Sequence, residues 1–302
     1  MQSVYSFFKS QNTDLAKEEK ILQQSSKDFY QLYLVMIVLL VELQECAEKL
    51  FETSKKQYVS NDKPKQIEKF SKNSVIKQLA SDAVFQSQLK NHKITYWKDR
   101  DEYVRLIFDA IVGSEVYQEY INSPKNSFAE DKKFILDLYT LVIAPNEGLY
   151  EFLEESKISW LDDIPLANTI VLKSLSKIKE NPESSPLLTR LYKDDEDEDF
   201  GKQLFRKTVL NNESLSQEII GKTPNWDQDR IAQLDAIFLK MAITEFLHFP
   251  SIPTKVTINE YLEISKEYST PKSSVFINGV LDQLVREYTE SGKLNKSIRG
   301  MQ

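Results

Sequence analysis

The chain has 302 residues, 41% of them hydrophobic and 28% charged, with a formal net charge of -7. That is enough apolar material for one large core or two modest ones, and the acidic balance excludes a surface coated in positive charge for nucleic acid, although it allows a local basic patch. Seven glycines leave few tight hairpins and one cysteine excludes an intrachain disulfide, so helices joined by short loops in a reducing, cytoplasmic setting are expected.

Met1 to Lys9 predicts a short helix with Met1, Val4, Tyr5 and Phe8 on one face. No Ser, Thr, Asp or Asn precedes its first apolar residue and its first turn lacks an acid, so it reads as a helix entered in the middle. Asp14 to Lys56 predicts a long helix in which Phe29, Leu32, Tyr33, Met36, Leu39, Leu40 and Leu43 recur at spacings of three and four. Its apolar run, Leu32 to Val41, is too short to span a bilayer, which needs roughly 20 residues, and Glu42 ends it. A buried core helix is expected, with no membrane partner, and Cys46 as an inert core thiol.

Ser60 to Lys65 (SNDKPK) is a polar break. Helical segments follow at Gln66 to Asn91, Asp99 to Ile121 and Phe128 to Ser156. Ser123-Pro124 separates the last two, and Ala144-Pro145-Asn146 predicts a kink or a restart. Asp162 to Lys179 predicts a shorter helix, and Asn181 to Pro186 (NPESSP) is the most linker-like stretch. The acidic run Asp194 to Asp199 (DDEDED) invites a metal site. Consecutive helical residues point in different directions, however, and calcium loops need alternating ligands with a glycine turn. An acidic first turn for a helix at Phe200 to Leu210, favoured by the helix dipole, explains the run better. No fixed-period repeat and no strand alternation is visible, so the chain reads as all-α.

Three helices close the chain. The first, Trp226 to His248, has a narrow polar stripe of Gln233, Lys240, Thr244 and His248 and is otherwise apolar, which predicts burial on most sides. Asp235 and Glu245 fall off that stripe and need partners. For Glu245 these are the free N–H groups of the next helix or a group on another chain. Phe249 to Pro253 stops the helix, and Thr257-Ile258-Asn259-Glu260 fits a capping box for the second, which runs to Tyr268 with Ile258, Tyr261, Leu262 and Tyr268 toward the core. Thr270-Pro271 predicts the next start, with Thr as cap and Pro in the first helical position. The third helix carries Ile277, Val280, Leu281, Leu284 and Tyr288 on one face. Phe276 lies at the edge of that stripe, about 100° from Ile277, where it completes the core or stands partly exposed. Gly279 costs the helix about 1 kcal/mol, which implies close backbone approach by a neighbouring helix or by a partner.

Two segments, Pro253-Thr254-Lys255-Val256-Thr257-Ile258-Asn259-Glu260 and Phe276-Ile277-Asn278-Gly279-Val280-Leu281-Asp282, resemble the paired C-terminal motifs of the NusB family at the right separation. Gln2-Ser3-Val4-Tyr5-Ser6, followed by Gln11-Asn12, resembles the family's first helix. The resemblance implies an all-α fold of two small helical bundles, formed here by residues 1–12 plus 196–292. Residues 13–195 are then an additional helical region, as in an enlarged family variant. It also implies an adaptor without catalytic activity or cofactor. Such an adaptor pairs with NusE, a small-subunit ribosomal protein, binds boxA in nascent RNA and joins an RNA polymerase antitermination complex on ribosomal RNA operons. By resemblance, Gln2, Tyr5, Lys272 and Phe276 face RNA, whereas Glu245, Phe276 and Asp282 face NusE.

Tyr5 and Phe276 could offer stacking faces, with core packing as the other role for Tyr5. The family carries an arginine-rich RNA-binding arm before its first helix, and this sequence begins inside that helix. A scaffold that keeps NusE but binds RNA weakly is therefore the alternative. An enzyme is not expected. No glycine-rich cofactor loop or catalytic cysteine motif is present, and the two histidines, His92 and His248, lie far apart in sequence.

Overall fold

The computed structural model describes residues 1–10, 14–56, 63–181, 185–187, 190–192, 194–220, 222 and 232–297. The described residues are helical with no strand, an all-α fold. They fall into two compact units, Ser25–Leu191 and Met1–Gln24 with Tyr192–Gln302. Gln11-Asn12, Trp226, and much of the polar stretches at 60–65 and 181–186 lie outside the described residues.

The order begins with α1 (Gln2–Lys9) and the 42-residue α2 (Leu15–Lys56). The first turns of α2, to Gln24, belong to one unit and the rest to the other. Val35, Ile37 and Val38 are weak helix formers, so packing must sustain the middle of α2. Every residue from Leu32 to Leu40 is buried, and the seven apolar positions read at helical spacing are all in the core. Each such side chain contributes about 1.5–3 kcal/mol on burial. Cys46 is half-buried against this core, and burial pushes its thiol above the usual range.

Around that helix stand α3 (Lys63–Ser71), α4 (Ser74–Ser81), α5 (Ala83–Asn91), α6 (Asp101–Val112), α7 (Glu115–Asn122), α8 (Phe128–Leu138), a π-helical turn (Tyr139–Ile143), α9 (Glu147–Ser156), a 3₁₀ turn (Ile158–Asp163) and α10 (Ile164–Lys177). Two segments expected to be continuous are broken and a third restarts where a kink or restart was expected, and in each case a side chain takes the free backbone donors. Asn73 accepts from the N–H groups of Val75 and Ile76, and Asp82 from Phe85, so Gln66 to Asn91 is divided among three helices. Ser114 accepts from Tyr117 N–H and divides α6 from α7. Ala144-Pro145-Asn146 is a restart, with Asn146 accepting from Leu149 N–H.

Polar pins cross the apolar packing. Trp97 Nε1 donates to the Val35 carbonyl at 2.9 Å, and Trp160 Nε1 to that of Asp28 at 2.8 Å. Asp131 Oδ1 accepts from Tyr120 Oη at 2.6 Å, while its Oδ2 accepts from Ser74 N at 2.8 Å and Ser74 Oγ at 2.6 Å. Lys69 Nζ donates to the carbonyls of Tyr120, Ser123 and Lys125 at 2.7, 3.0 and 2.8 Å. The sequence reading did not anticipate these ties between α3, α4, α7 and α8.

The other unit contains α1, the start of α2, α11 (Asp195–Leu210), α12 (Asn212–Ile219), α13 (Gln233–His248), α14 (Thr254–Tyr268) and α15 (Ser273–Glu290). The acidic run forms the first turn of α11. Asp194 caps it, accepting from Asp197 N–H at 3.0 Å, and Asp195 to Glu198 lie where the helix dipole favours negative charge. From Ile237 to Phe246 all residues of α13 except Lys240 are buried, so α11, α12, α14 and α15 all pack on it.

Replacing Asp131 with Ala leaves the Tyr120 and Ser74 donors without their acceptor. Unfolding by urea should register a loss of about 2–4 kcal/mol, with the far-ultraviolet helical signal of the native state unchanged.

Candidate functional site

The motif-bearing helices α14 and α15 pack against each other and against α13. Their starts differ from the sequence expectation. Thr257 lies inside α14, which begins three residues earlier at Thr254 with Pro253 at its cap. Thr257 therefore does not form a capping box. Its hydroxyl donates to Glu245 Oε2 at 3.0 Å, because a buried carboxylate is a stronger acceptor than anything at the helix end. Pro271 sits in the turn before α15 and not in its first helical position. Thr270 does not cap α15, whose N-cap is Lys272 without a side-chain cap bond; instead the Thr270 N–H donates to Ser273 Oγ at 3.3 Å, and the two hydroxyls lie 2.9 Å apart.

Glu245 is 7% exposed and engaged inside the bundle. Tyr261 Oη donates to its Oε1 at 2.7 Å, and Thr257 to its Oε2. Neither expected role, N–H capping or a surface hydrogen bond to another chain, describes this carboxylate. It clamps α14 to α13. Burial pushes its carboxyl above the ordinary value of 4.5, against the lowering effect of the two hydroxyl donors and nearby Lys296. Asp235 is satisfied likewise by Ser269 Oγ at 2.6 Å. Lys296, beyond α15, is buried and donates to the carbonyls of Glu245 and Phe249 at 3.1 and 2.9 Å, closing the C-terminal end of α13. The sequence reading missed Lys296, since a lysine beyond the last helix carries no periodic signal.

Phe276 is 7% exposed and belongs to the core with Ile277, Val280, Leu281, Leu284 and Tyr288. Its ring is not a stacking face in the free chain. Tyr268, expected to point inward, is 41% exposed at the last turn of α14. Gly279 has open space around it, so the expected approach by a neighbouring helix of this chain is not what it serves. Gly279 lies on the outer face of α15, where Lys272, Val275, Gly279, Asp282 and Arg286 follow at helical spacing. Val275 is 76% exposed. Asp282 is half-buried and accepts from Asn278 Nδ2 at 3.1 Å. Val275 and Arg286 were missed by the sequence reading, although their spacing from Lys272 and Asp282 carried the signal.

On α1, Gln2 is exposed and Tyr5 half-buried, with the Lys9 ammonium 5.8 Å from the Tyr5 ring centre. Gln2, Tyr5, Ser6 and Lys9 share one side of this helix, while Val4 enters the core. The main neighbours of α1 are α11 and α13, whereas those of α15 are α13 and α14. Gln2 and Tyr5 thus form one surface element and Lys272 and Asp282 another, with α13 as their shared neighbour. Among the described residues no group of three or more His, Cys, Asp or Glu side chains could hold a metal ion, and no helix is long and apolar enough to cross a membrane.

Two variants separate the roles of Glu245. Ala at this position strands two buried hydroxyls and should cost about 2–4 kcal/mol in chemical unfolding. Gln keeps an acceptor and removes the charge. Because folding raises the wild-type carboxyl pKa, wild-type stability falls as pH climbs from 4.5 through the folded value. The Gln variant should therefore gain on the wild type over that window, and a parallel loss in both proteins would contradict the assignment.

Residues 165–286 match the model of the NusB family. The chain is similar to the transcription antitermination protein NusB of Salinibacter ruber, 43% identical over 103 residues, which is 34% of this chain and 64% of that protein. It is 39% identical to the NusB of Chloroherpeton thalassium over 103 residues, covering 34% of this chain and 49% of that protein. With the NusB of Natranaerobius thermophilus it shares 39% identity over 85 residues, 28% of this chain and 61% of that protein. The chain thus spans between 49% and 64% of the length of these curated relatives. No solved structure matches. The match begins in α10, earlier than the motifs suggest, and ends in α15. The matched segment 165–286 covers α13, α14 and most of α15, including Lys272, Val275, Gly279, Asp282 and Arg286, and there the chain is similar to the NusB family.

Proposed function

We propose that this chain is a transcription antitermination factor, a non-enzymatic adaptor that pairs with NusE and binds boxA RNA within an RNA polymerase antitermination complex on ribosomal RNA operons. The observation that carries the proposal is the similarity of this chain, over 103 residues, to proteins named for transcription antitermination, together with the match of residues 165–286 to the NusB family model. Residues 1–12 with 196–292 form the family-like domain in this reading, and 13–195 the added region.

In this proposal the outer face of α15 receives NusE. Asp282 offers a carboxylate, and Gly279 lets a partner backbone approach where any side chain would intrude. Glu245 and Phe276 act from behind, holding α14 and α15 in place. RNA runs over Gln2, Tyr5 and Lys272. Two weak RNA surfaces joined in one heterodimer raise each other's effective concentration.

A second reading, a NusE-binding scaffold with little RNA affinity, is favoured by the burial of Phe276, which removes one of the two expected stacking faces.

Anisotropy of a labelled boxA RNA, with and without NusE, decides between them. Tight binding that requires NusE, and that Tyr5→Ala weakens by about 1–3 kcal/mol, supports the first reading. Lys272→Ala should lower the salt slope of single-strand binding by about 0.7 if its ammonium meets a phosphate. Association with NusE but not RNA selects the scaffold, and failure to bind NusE sinks both. Gly279→Ala gives an independent check on the α15 face. Alanine should stabilise the free chain by about 0.5–1 kcal/mol, yet weaken NusE binding, whereas unchanged affinity would remove α15 from the interface.

A further inference from the structure

The unit Ser25–Leu191 carries a groove of about 660 Å³ between α7 and α8 that the reading above leaves unused. Val116, Tyr120, Phe134 and Leu141 supply its apolar surface. Tyr120 and Phe134 stack at 3.8 Å between ring centres and form a rigid base. The π-helical turn that follows α8 closes with Ala144 N–H donating to the Tyr139 carbonyl at 2.8 Å. This wide turn keeps Tyr139 and Ile143 in the core and leaves Leu141 outside, 63% exposed beside the groove. Such turns are uncommon in helices and concentrate at functional positions.

The rim is mostly acidic. Glu130 is held by Lys69 at 3.4 Å and Asp137 by Lys133 at 2.9 Å. Glu115 and Glu119 stand exposed on α7, and no ion pair joins either to another described residue. They are one helical turn apart, a spacing at which like charges repel. Lys133, which Glu119 also influences, is already committed to Asp137.

We propose that this groove docks a basic amphipathic segment of a partner protein. Its apolar side would seat on Leu141, Val116 and the Tyr120–Phe134 base, and its Lys or Arg side chains would meet Glu115 and Glu119. An exposed leucine beside two unpaired carboxylates is matched by a helix with alternating apolar and cationic faces and by no anionic ligand.

A fluorescein-labelled peptide of about 14 residues, Leu and Lys in amphipathic helical register, serves as the probe, with the Leu and Glu analogue as its counterpart. The full chain should bind the cationic peptide saturably at one site and the anionic one not at all. Glu115→Lys with Glu119→Lys, and separately Leu141→Ser, should each weaken binding about tenfold. These residues are exposed, and circular dichroism of each variant checks that it folds. Glu154→Lys, an exposed carboxylate outside the groove, should change affinity by less than about twofold. No binding of the cationic peptide, or equal weakening by the groove and control variants, would overturn the proposal, the latter because it reduces the attraction to the overall negative charge.

Discussion

A helix with at most a narrow polar stripe must be surrounded. Two such stretches govern this protein, Leu32 to Leu40 in α2 and Ile237 to Phe246 in α13, each buried along almost its whole length. Neither could stand at a surface without leaving a wide apolar strip in water. The remaining helices of each unit present one apolar face and one polar face, which suits them to an outer layer. The acidic first turn of α11 and the exposed carboxylates of α7 show that outer layer meeting solvent with charge.

Apolar burial alone does not fix how an outer helix is rotated or where it stops. Polar side chains do that here. Asn73, Asp82, Ser114 and Asn146 end one helix and start another by taking up free N–H groups. Glu245, Asp235 and Lys296 tie α14 and the chain after α15 back to the family-like bundle. Among the described residues no buried side-chain nitrogen or oxygen lacks a partner. A carboxylate as deeply placed as Glu245 is tolerable only because two hydroxyls reach it. The same geometry that explains its burial removes it from the surface.

The outer face of α15 has the opposite character. Its inner side is committed to the core from Ser273 to Tyr288. Its outer side carries a cation, an exposed valine, a bare glycine, a carboxylate and an arginine in register. Gly279 weakens the helix, and among the described residues nothing lies within 4 Å of where a Cβ would stand, so the described packing does not account for this local cost.

The sequence by itself determined the all-α class, the central place of Leu32 to Val41, the acidic start of α11 and the core stripe of α15, because each follows from local periodicity or the helix dipole. It also carries two short motifs that resemble those of the NusB family, whose model matches residues 165–286. Tertiary structure decided the rest. Thr257 fits a capping pattern in sequence, yet its hydroxyl serves Glu245 because α13 brings that carboxylate within 3.0 Å. Phe276 stood at a stripe edge that sequence could not resolve, and the packing of α13 and α14 around α15 buried it. Two helices expected to run on were split by caps, Asn73 and Asp82 in one and Ser114 in the other. Periodicity reports which side of a helix is apolar, but only the fold places a polar atom 3 Å from its partner.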